Sequence, residues 1–387
     1  MSLYIITEPE YEETLWATRL YTLINELKLK RIPYNRIKKI SDIRKREPSV
    51  VIAVGSSYGW TSAITKECNE AHIPVIISSS KFGTVTEGSY SCVSSDWQDV
   101  AMTLNRYLSC YNKSKIALYG VNHNSDADLN LVEVFYSLIH FQPQDVPYVF
   151  ENEGSLADCY ERLKKDLPHY DAIICVNDYV ALYLIDRLKQ EDEKVLERLF
   201  IISFNNFILS QIHSPSVTSF SEDGESVAKA LIGIYQLLLK SSDFTSVHVQ
   251  IRQKLHIRQS TQYRPLPEDI KLQPEDGEPV PFSHITGKKD YFESGEITQY
   301  NRLESMLEHC DKLDIFILLK LLHSHSYESI ANDVFASVGT VKYRLRKMMQ
   351  QSAAASRTDL MDLLCTHVNE KNLQDYYQTL RDMDAAF

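Results

Sequence analysis

Six short apolar runs punctuate the first two thirds of the chain: Leu3–Ile6, Val50–Val54, Ile73–Ile77, Ile116–Tyr119, Ala172–Val176 and Phe200–Phe204. Their β-branched content and lack of polar alternation read as strands buried on both faces. Between them, apolar residues recur at helical spacing. Trp16, Leu20, Leu23, Ile24 and Leu27 share one face, and Val100, Leu104, Tyr107 and Leu108 another; so do Ala181, Leu184, Ile185 and Leu188, and Val227, Leu231, Ile234 and Leu238. Strand and helix in alternation require parallel sheets joined by crossovers, with helices on both faces. The stretch is longer than one compact sheet needs, so the predicted class is α/β with two similar lobes.

The pattern breaks after Leu266. Up to Glu296 the chain holds Pro267, Pro274, Pro279 and Pro281, eight acids and three lysines, with little periodicity, which reads as an extended linker. Beyond it only helical spacing appears, with Ile315, Leu318, Leu319 and Leu322 on one face. The predicted division is an α/β domain over 1–263, an acidic proline-containing linker over 264–296, a small all-α domain over 297–368 and a helical tail over 369–387.

A net charge of −11 excludes a protein coated along its length in nucleic acid. Locally the balance reverses: between Leu313 and Thr358 there are six basic residues against three acidic ones. Within that segment Ile330, Ala331 and Val334 give a short helix an apolar face. Ser337 stands where an N-cap is wanted, its hydroxyl placed to accept from the Thr340 amide. Val338, Val341, Leu345 and Met348 form the inward stripe of a second helix. Thr340, Tyr343, Arg344 and Lys347 face outward, with Lys342 and Arg346 on the flanks. The rotation predicts Arg344 and Tyr343 toward base edges, and Lys342 and Arg346 on phosphates. The alternative is an amphipathic helix whose basic face is merely solvated.

The stretch "ESIANDVFASVGTVKYRLRKMM" followed by "SRTDLMDLL" resembles the helix-turn-helix of LuxR-type (GerE-like) transcription regulators over Lys312 to His367. The matching residues are Ile330-Ala331, Ser337, Thr340-Val341-Lys342 and Arg357. The stretch "QQSAAASR" departs from the family's turn before the last helix. In that family the last helix often contributes to dimer contacts, which Leu360, Leu363 and Leu364 would supply here; a plain core role is the alternative.

The first lobes show no G-x-G-x-x-G, P-loop, G-x-S-x-G or H-E-x-x-H, so neither an enzyme nor a cofactor is expected. The histidines are scattered, and the seven cysteines are widely spaced and never C-x-x-C, so no metal site and no disulfide frame is expected. Polar residues recur instead at the carboxyl ends of predicted strands, where open α/β sheets bind ligands. The candidate ligand-binding set is Thr7, Glu8, Tyr11, Ser57, Ser79, Asn130, Asn177, Asp178 and Asn205.

Several blocks resemble the sugar-binding domain of LacI/GalR repressors, itself similar to periplasmic binding proteins. They are "AIICVNDYVALYLIDRL" (172–188), "FIISFNNF" (200–207), "PSVTSFSEDGESVAKALIGIYQLLL" (215–239) and "QKLHIRQST" (253–261). "CVSSDWQDVAMTLNRYL" (92–108) resembles the start of the dimer-face helix in the N-lobe. The resemblance spans roughly residues 3 to 262. It implies a two-lobed, periplasmic-binding-protein-like domain that senses a ligand and dimerises. Three departures touch the cleft: Ser79 stands for an aspartate, Asn130-Leu131 lies where a sugar-clamping arginine falls, and Asn205 stands for another aspartate. The family's DNA-reading helices precede the first strand, and the C-terminal module takes that role here.

The N-terminus lacks a basic n-region, and no run approaches the roughly 20 apolar residues that span a bilayer. The expectation is a cytoplasmic, ligand-responsive transcription regulator, a homodimer whose partners are double-stranded DNA and a small, sugar-like effector, with no membrane contact. Lobe closure would then change the spacing of two DNA-reading helices. The alternatives are a solute-binding or sugar-handling protein without a DNA role, and a regulator whose sensor no longer binds ligand and only dimerises.

Overall fold

The computed structural model describes residues 2–14, 16–43, 48–78, 88–138, 148–240, 245–266, 295–323 and 325–385. The N-lobe is assembled from β1 (Ser2–Thr7), α1 (Ala17–Leu29), β2 (Tyr34–Ile37), β3 (Ser49–Val54), α2 (Tyr58–Glu70), β4 (Val75–Ser78) and β5 (Ser91–Ser95). The chain then enters the C-lobe through α3 (Trp97–Cys110), β6 (Ile116–Val121), α4 (Asp126–Leu138), β7 (Val149–Glu151), α5 (Leu156–Asp166) and β8 (Ala172–Cys175). It continues there with α6 (Asp178–Asp192), β9 (Phe200–Phe204), α7 (Ile208–Ile212) and β10 (Thr218–Ser221). It returns to the N-lobe with α8 (Gly224–Lys240) and β11 (His248–Ile251), and crosses once more to β12 (Lys254–His256).

The N-lobe sheet runs β11-β5-β4-β3-β1-β2, and every neighbouring pair is parallel. The C-lobe sheet runs β12-β10-β9-β8-β6-β7, parallel except for the β10–β12 pair. All six apolar runs read from the sequence lie on strands, and β3, β8 and β9 are buried along their full length. The crossings place the carboxyl ends of both sheets around one cleft. α3 differs from the expectation. It follows an N-lobe strand, yet Val100, Leu104, Tyr107 and Leu108 pack into the C-lobe core.

The C-terminal module is wholly helical, as expected: α9 (Gly295–Glu308), α10 (Lys312–Leu322), α11 (Tyr327–Asp333), α12 (Val338–Gln351), α13 (Arg357–His367) and α14 (Glu370–Ala385). Side-chain caps start the helices that have polar residues at the right place. Asp311 and Asp314 form a capping box on α10, and Ser326, Ser337 and Ser356 each accept from the amide three residues on. The Thr340 amide donates to Ser337 Oγ at 3.0 Å, as the spacing predicts. Leu360 and Leu364 are fully buried within the chain, which gives them the core role.

The module shares one continuous apolar core with the C-lobe, joining Ile174, Leu184 and Leu209 to Tyr300, Leu303, Leu345 and Leu373. α9 lies across the outer face of α6, and Asp178 through Ile185 are buried on every side. α14 packs on α10 and α7, with Leu373 fully buried, so residues 369–387 are not a separate tail through the described part of α14. The Asn369 amide donates to the Ile212 carbonyl at 2.7 Å, and Asn372 Nδ2 to the His213 carbonyl at 2.7 Å. Most of the expected linker, 267–294, lies outside the described residues. Among the described residues no helix is long and apolar enough to cross a membrane.

Candidate functional site

A cavity of about 560 Å³ lies between the lobes. On the N-lobe side its wall comes from the ends of β1 and β3, on the C-lobe side from those of β6, β8 and β9, and the crossings fill the gap between. Aromatic rings are part of the lining: Trp97 meets Phe204 at 5.7 Å between centroids, and Phe204 stacks on Phe220 at 5.3 Å. Tyr11, Trp16 and Phe207 add to this wall. Flat apolar faces next to hydroxyl and amide groups suit a ring that is apolar on its faces and polar on its rim.

The charges in the cleft are largely engaged. Glu8 accepts from the Ser56 amide at 2.7 Å and from the Ser57 amide at 3.2 Å, which ties the ends of β1 and β3 together. Arg19 pairs with Glu222, which also accepts from Ser95 Oγ at 3.0 Å. Asp128 accepts from the Asn122 amide at 2.8 Å and Ser125 Oγ at 2.9 Å. Burial pushes its carboxyl up to about 7, against the lowering effect of those two bonds. A bridge between Ser57 and Ser125 joins the lobes at the mouth.

The structure brings Glu8, Tyr11, Ser57, Asn177 and Asn205 to the cavity wall. Thr7, half-buried at the end of β1, is outside the lining, and Ser79 lies outside the described residues. Two positions need correction. Asp178 is fully buried beneath the wall, where it accepts from Ser203, from Ser210 Oγ at 2.7 Å, from Ser219 Oγ at 2.7 Å and from the Phe207 amide at 2.6 Å. With four donors on its two oxygens it braces the C-lobe. Asn130 is buried on α4 and not part of the lining, because the cavity meets only the start of that helix, at Ala127 and Asp128, and the loop before it, at Asn124 and Ser125. Of the aromatic wall, sequence reasoning found only Tyr11; it missed Phe204 and Phe220, apolar strand residues, and Trp16, Trp97, Phe207 and the Arg19–Glu222 pair, which lie at helix starts and crossings.

Asn177 has a second duty: its side chain caps α6 by accepting from the Val180 amide at 3.1 Å. Asn177→Ala is therefore expected to lose about 0.5–2 kcal/mol of stability through the cap alone. Asn205 is the cleaner probe. It is exposed, lines the cavity and holds φ at 97°, a conformation glycine adopts freely. Asn205→Gly should leave the melting temperature unchanged or raised, while weakening a bound effector by about 1–3 kcal/mol where the amide bonds it. Calorimetry with the first sugar found to shift the melting temperature measures both.

On the helical module, Thr340, Lys342, Tyr343, Arg346 and Lys347 are exposed along α12, with Tyr343 68% accessible. Arg344 departs from the predicted outward direction. Its guanidinium turns back to Asp311 at 2.8 Å and Asp314 at 2.9 Å, binding α12 to the start of α10. Opposite charge within reach, not helical rotation, decides its direction. Phe335, at the corner between α11 and α12, is 99% exposed and sits at φ 52°, where a bulky side chain is strained.

Comparison with known proteins agrees with this geometry. Residues 115–261 match the family of periplasmic binding protein-like domains. Catabolite control protein A of Staphylococcus epidermidis is 22% identical over 200 residues, covering 50% of this chain and 59% of that protein. The Staphylococcus aureus protein of the same name is 24% identical over 165 residues, covering 41% and 48%. The chain thus spans about half the length of the curated relatives it matches. Among solved structures, a transcriptional regulator CelR–cellobiose complex superposes with a TM-score of 0.53 at 13% identity, covering 67% of this chain and 84% of that one. A LacI family regulator from Enterococcus faecium with bound ribose gives 0.51 at 18%, covering 68% and 100%. Transcription regulator CcpA of Lactococcus lactis gives 0.52 at 18%, with the same coverage.

Proposed function

Starting from a chain that carries a periplasmic-binding-protein-like domain, we propose that it is a ligand-responsive DNA-binding transcription regulator and not an enzyme. The observation that carries this reading is one molecule holding both parts: an aromatic-walled cleft at the carboxyl ends of two parallel sheets, and a helix–corner–helix whose second helix exposes Lys342, Arg346 and Lys347. The homologous regulators and the cellobiose and ribose named in two similar structures support a sugar as the effector class.

Charge narrows the effector further. The lining holds Glu8, Glu10, Asp128 and Glu222 against Arg19, and Arg19 is already paired. A phosphorylated sugar would enter an acid-rich cavity without an unpaired arginine from that lining to receive it, so the effector is a neutral hydroxylated ring.

The signal follows the packing. Asn205 and Phe207 line the cavity, α7 begins one residue later, and its first two free amides, those of Ile208 and Leu209, are held by Glu304 of α9 at 2.5 Å each. α9 in turn packs against α12. The module is rooted on the C-lobe, so closing the cleft carries α12 with that lobe. In a homodimer joined through its lobes, this changes the separation of two DNA-facing helices. The effector acts through its different affinity for the two states.

The test is binding to an operator selected from random double-stranded DNA, titrated with salt. Lys347→Ala should weaken operator and random DNA alike and lower the slope of log K against log salt by about 0.9. Tyr343→Ala should weaken the operator about 5- to 100-fold more than random DNA. Parental binding by both folded variants at every salt concentration would remove α12 as the reader.

A further inference from the structure

Asp186 on α6, His213 just after α7 and His367 at the end of α13 converge where the C-lobe meets the helical module, their potential ligand atoms all within 4.8 Å of one another. His213 is wholly buried, His367 nearly so, and the Asp186 side chain 14% exposed. His213 Nε2 lies 3.1 Å from Asp186 Oδ1, and His367 Nδ1 lies 3.2 Å from Oδ2. Tyr300 of α9 donates to Oδ2 at 2.7 Å.

The far side of His213 decides what this cluster needs. Its Nδ1 lies 3.3 Å from the Pro215 carbonyl. The carbonyl and the carboxylate both only accept, so a neutral ring satisfies one of the two contacts and not both. With the hydrogen on Nδ1, the Nε2 lone pair faces a carboxylate oxygen 3.1 Å away, and a cation between them satisfies both. A second proton on His213 would serve, and so would a metal ion. Two features favour the metal. A backbone carbonyl on the remote nitrogen is the usual device that fixes the tautomer of a ligating histidine, and a hydrogen-bonded carboxylate is its counterpart. The two contacts to the carboxylate also fit: tetrahedral bonds of about 2.0–2.1 Å put neighbouring ligand atoms about 3.3 Å apart, close to the 3.1 and 3.2 Å between the histidine nitrogens and the two Asp186 oxygens. The full span of 4.8 Å has to shorten as the ion binds.

We propose that Asp186, His213 and His367 form a site for a divalent transition metal of the zinc class that clamps the helical module to the C-lobe. Two ligands come from the lobe and one from the module, so the ion binds both or neither, and its affinity adds to the docking of the module. Tyr300, on the carboxylate, orients Asp186. The cluster lies away from the cleft, and the inference does not depend on the effector.

The test uses the full-length chain stripped with a chelator and titrated with zinc chloride against a chromophoric competitor, with cobalt chloride as the spectroscopic probe. The expected result is one tight ion per chain, a tetrahedral cobalt spectrum without thiolate charge transfer, and a melting temperature that rises with zinc. His367→Gln should weaken zinc by at least tenfold. His367→Cys should restore binding and add the thiolate band, which a variant that failed to fold would not do. The proposal is overturned by zinc that binds the parent no better than His367→Gln, by a thiolate band in the parent, or by a cobalt spectrum that His367→Cys leaves unchanged. DNA binding is read separately at saturating zinc, so a failure of the α12 reading and a failure of the clamp remain distinguishable.

Discussion

Glu304→Ala is expected to cost about 2–4 kcal/mol of stability and to loosen the helical module from the C-lobe before the lobe itself unfolds. Its carboxylate is buried and accepts from the amides of Ile208 and Leu209, so alanine leaves two buried donors without their partner and opens a void beside them. Faster hydrogen exchange at the α7 and α9 amides would mark the loosening, and urea denaturation the size of the loss. A loss under about 0.5 kcal/mol would mean the contact is incidental. Burial also pushes the Glu304 carboxyl up to about 8 from 4.5. The folded chain then keeps a proton that the unfolded chain releases, so stability falls as the pH rises from the ordinary glutamate range through about 8, and levels off above it. Glu304→Gln, which cannot ionise, should remove its share of that slope; the rest comes from Asp128, Asp178 and Glu308, whose carboxyls burial raises in the same direction.

Asp178→Ala should be the more damaging change, at about 3–5 kcal/mol. Three serine hydroxyls and the Phe207 amide converge on this carboxylate in a fully buried pocket. Its removal strands all four together. Asp178→Asn keeps the shape but offers a single acceptor oxygen to them, and should recover only part of the loss. Because Phe207 and Ser210 flank or begin α7, effector binding should weaken in both variants even though Asp178 never touches the cavity. An Asp178→Ala protein within about 1 kcal/mol of the parent would remove this residue as the brace of the C-lobe.

Much of the lobes was legible because burial on both faces leaves a plain signature. Leu3–Ile6, Val50–Val54 and Phe200–Phe204 are apolar without alternation, and each lies on a central or near-central strand. The edge strands gave no such signal. β2 and β11 alternate or expose half their residues, and β5 is Ser-rich, its burial owed to neighbours on both sides and not to its own composition. The cleft was legible in its strand-end polar groups and illegible in its aromatic wall, which depends on how the crossings fold back. Asp178 misled because an Asn-Asp pair after a strand offers one side chain to the cavity and the next to the interior, and the order is a matter of backbone direction. Arg344 misled because rotation about a helix says which way a residue leaves the axis, not which carboxylate its long side chain will reach. One clue to the docked module was present. "DYVALYLIDRL" is apolar around most of its circumference, more than a helix covering one sheet face requires.

The core that runs unbroken from the C-lobe into the helical module alters what counts as a part of this protein. A cut after residue 262 falls between two sequence patterns but through one packed interior. It would bare the outer face of α6, including Tyr179, which is fully buried in the whole chain and stacks on Tyr300. Transplanting the helices onto another domain would likewise expose Tyr300, Leu303 and Leu373 unless the recipient carried a matching face. The piece that can be lent or exchanged intact is the C-lobe together with its helices, and a heat-capacity trace should show those two melting as one body.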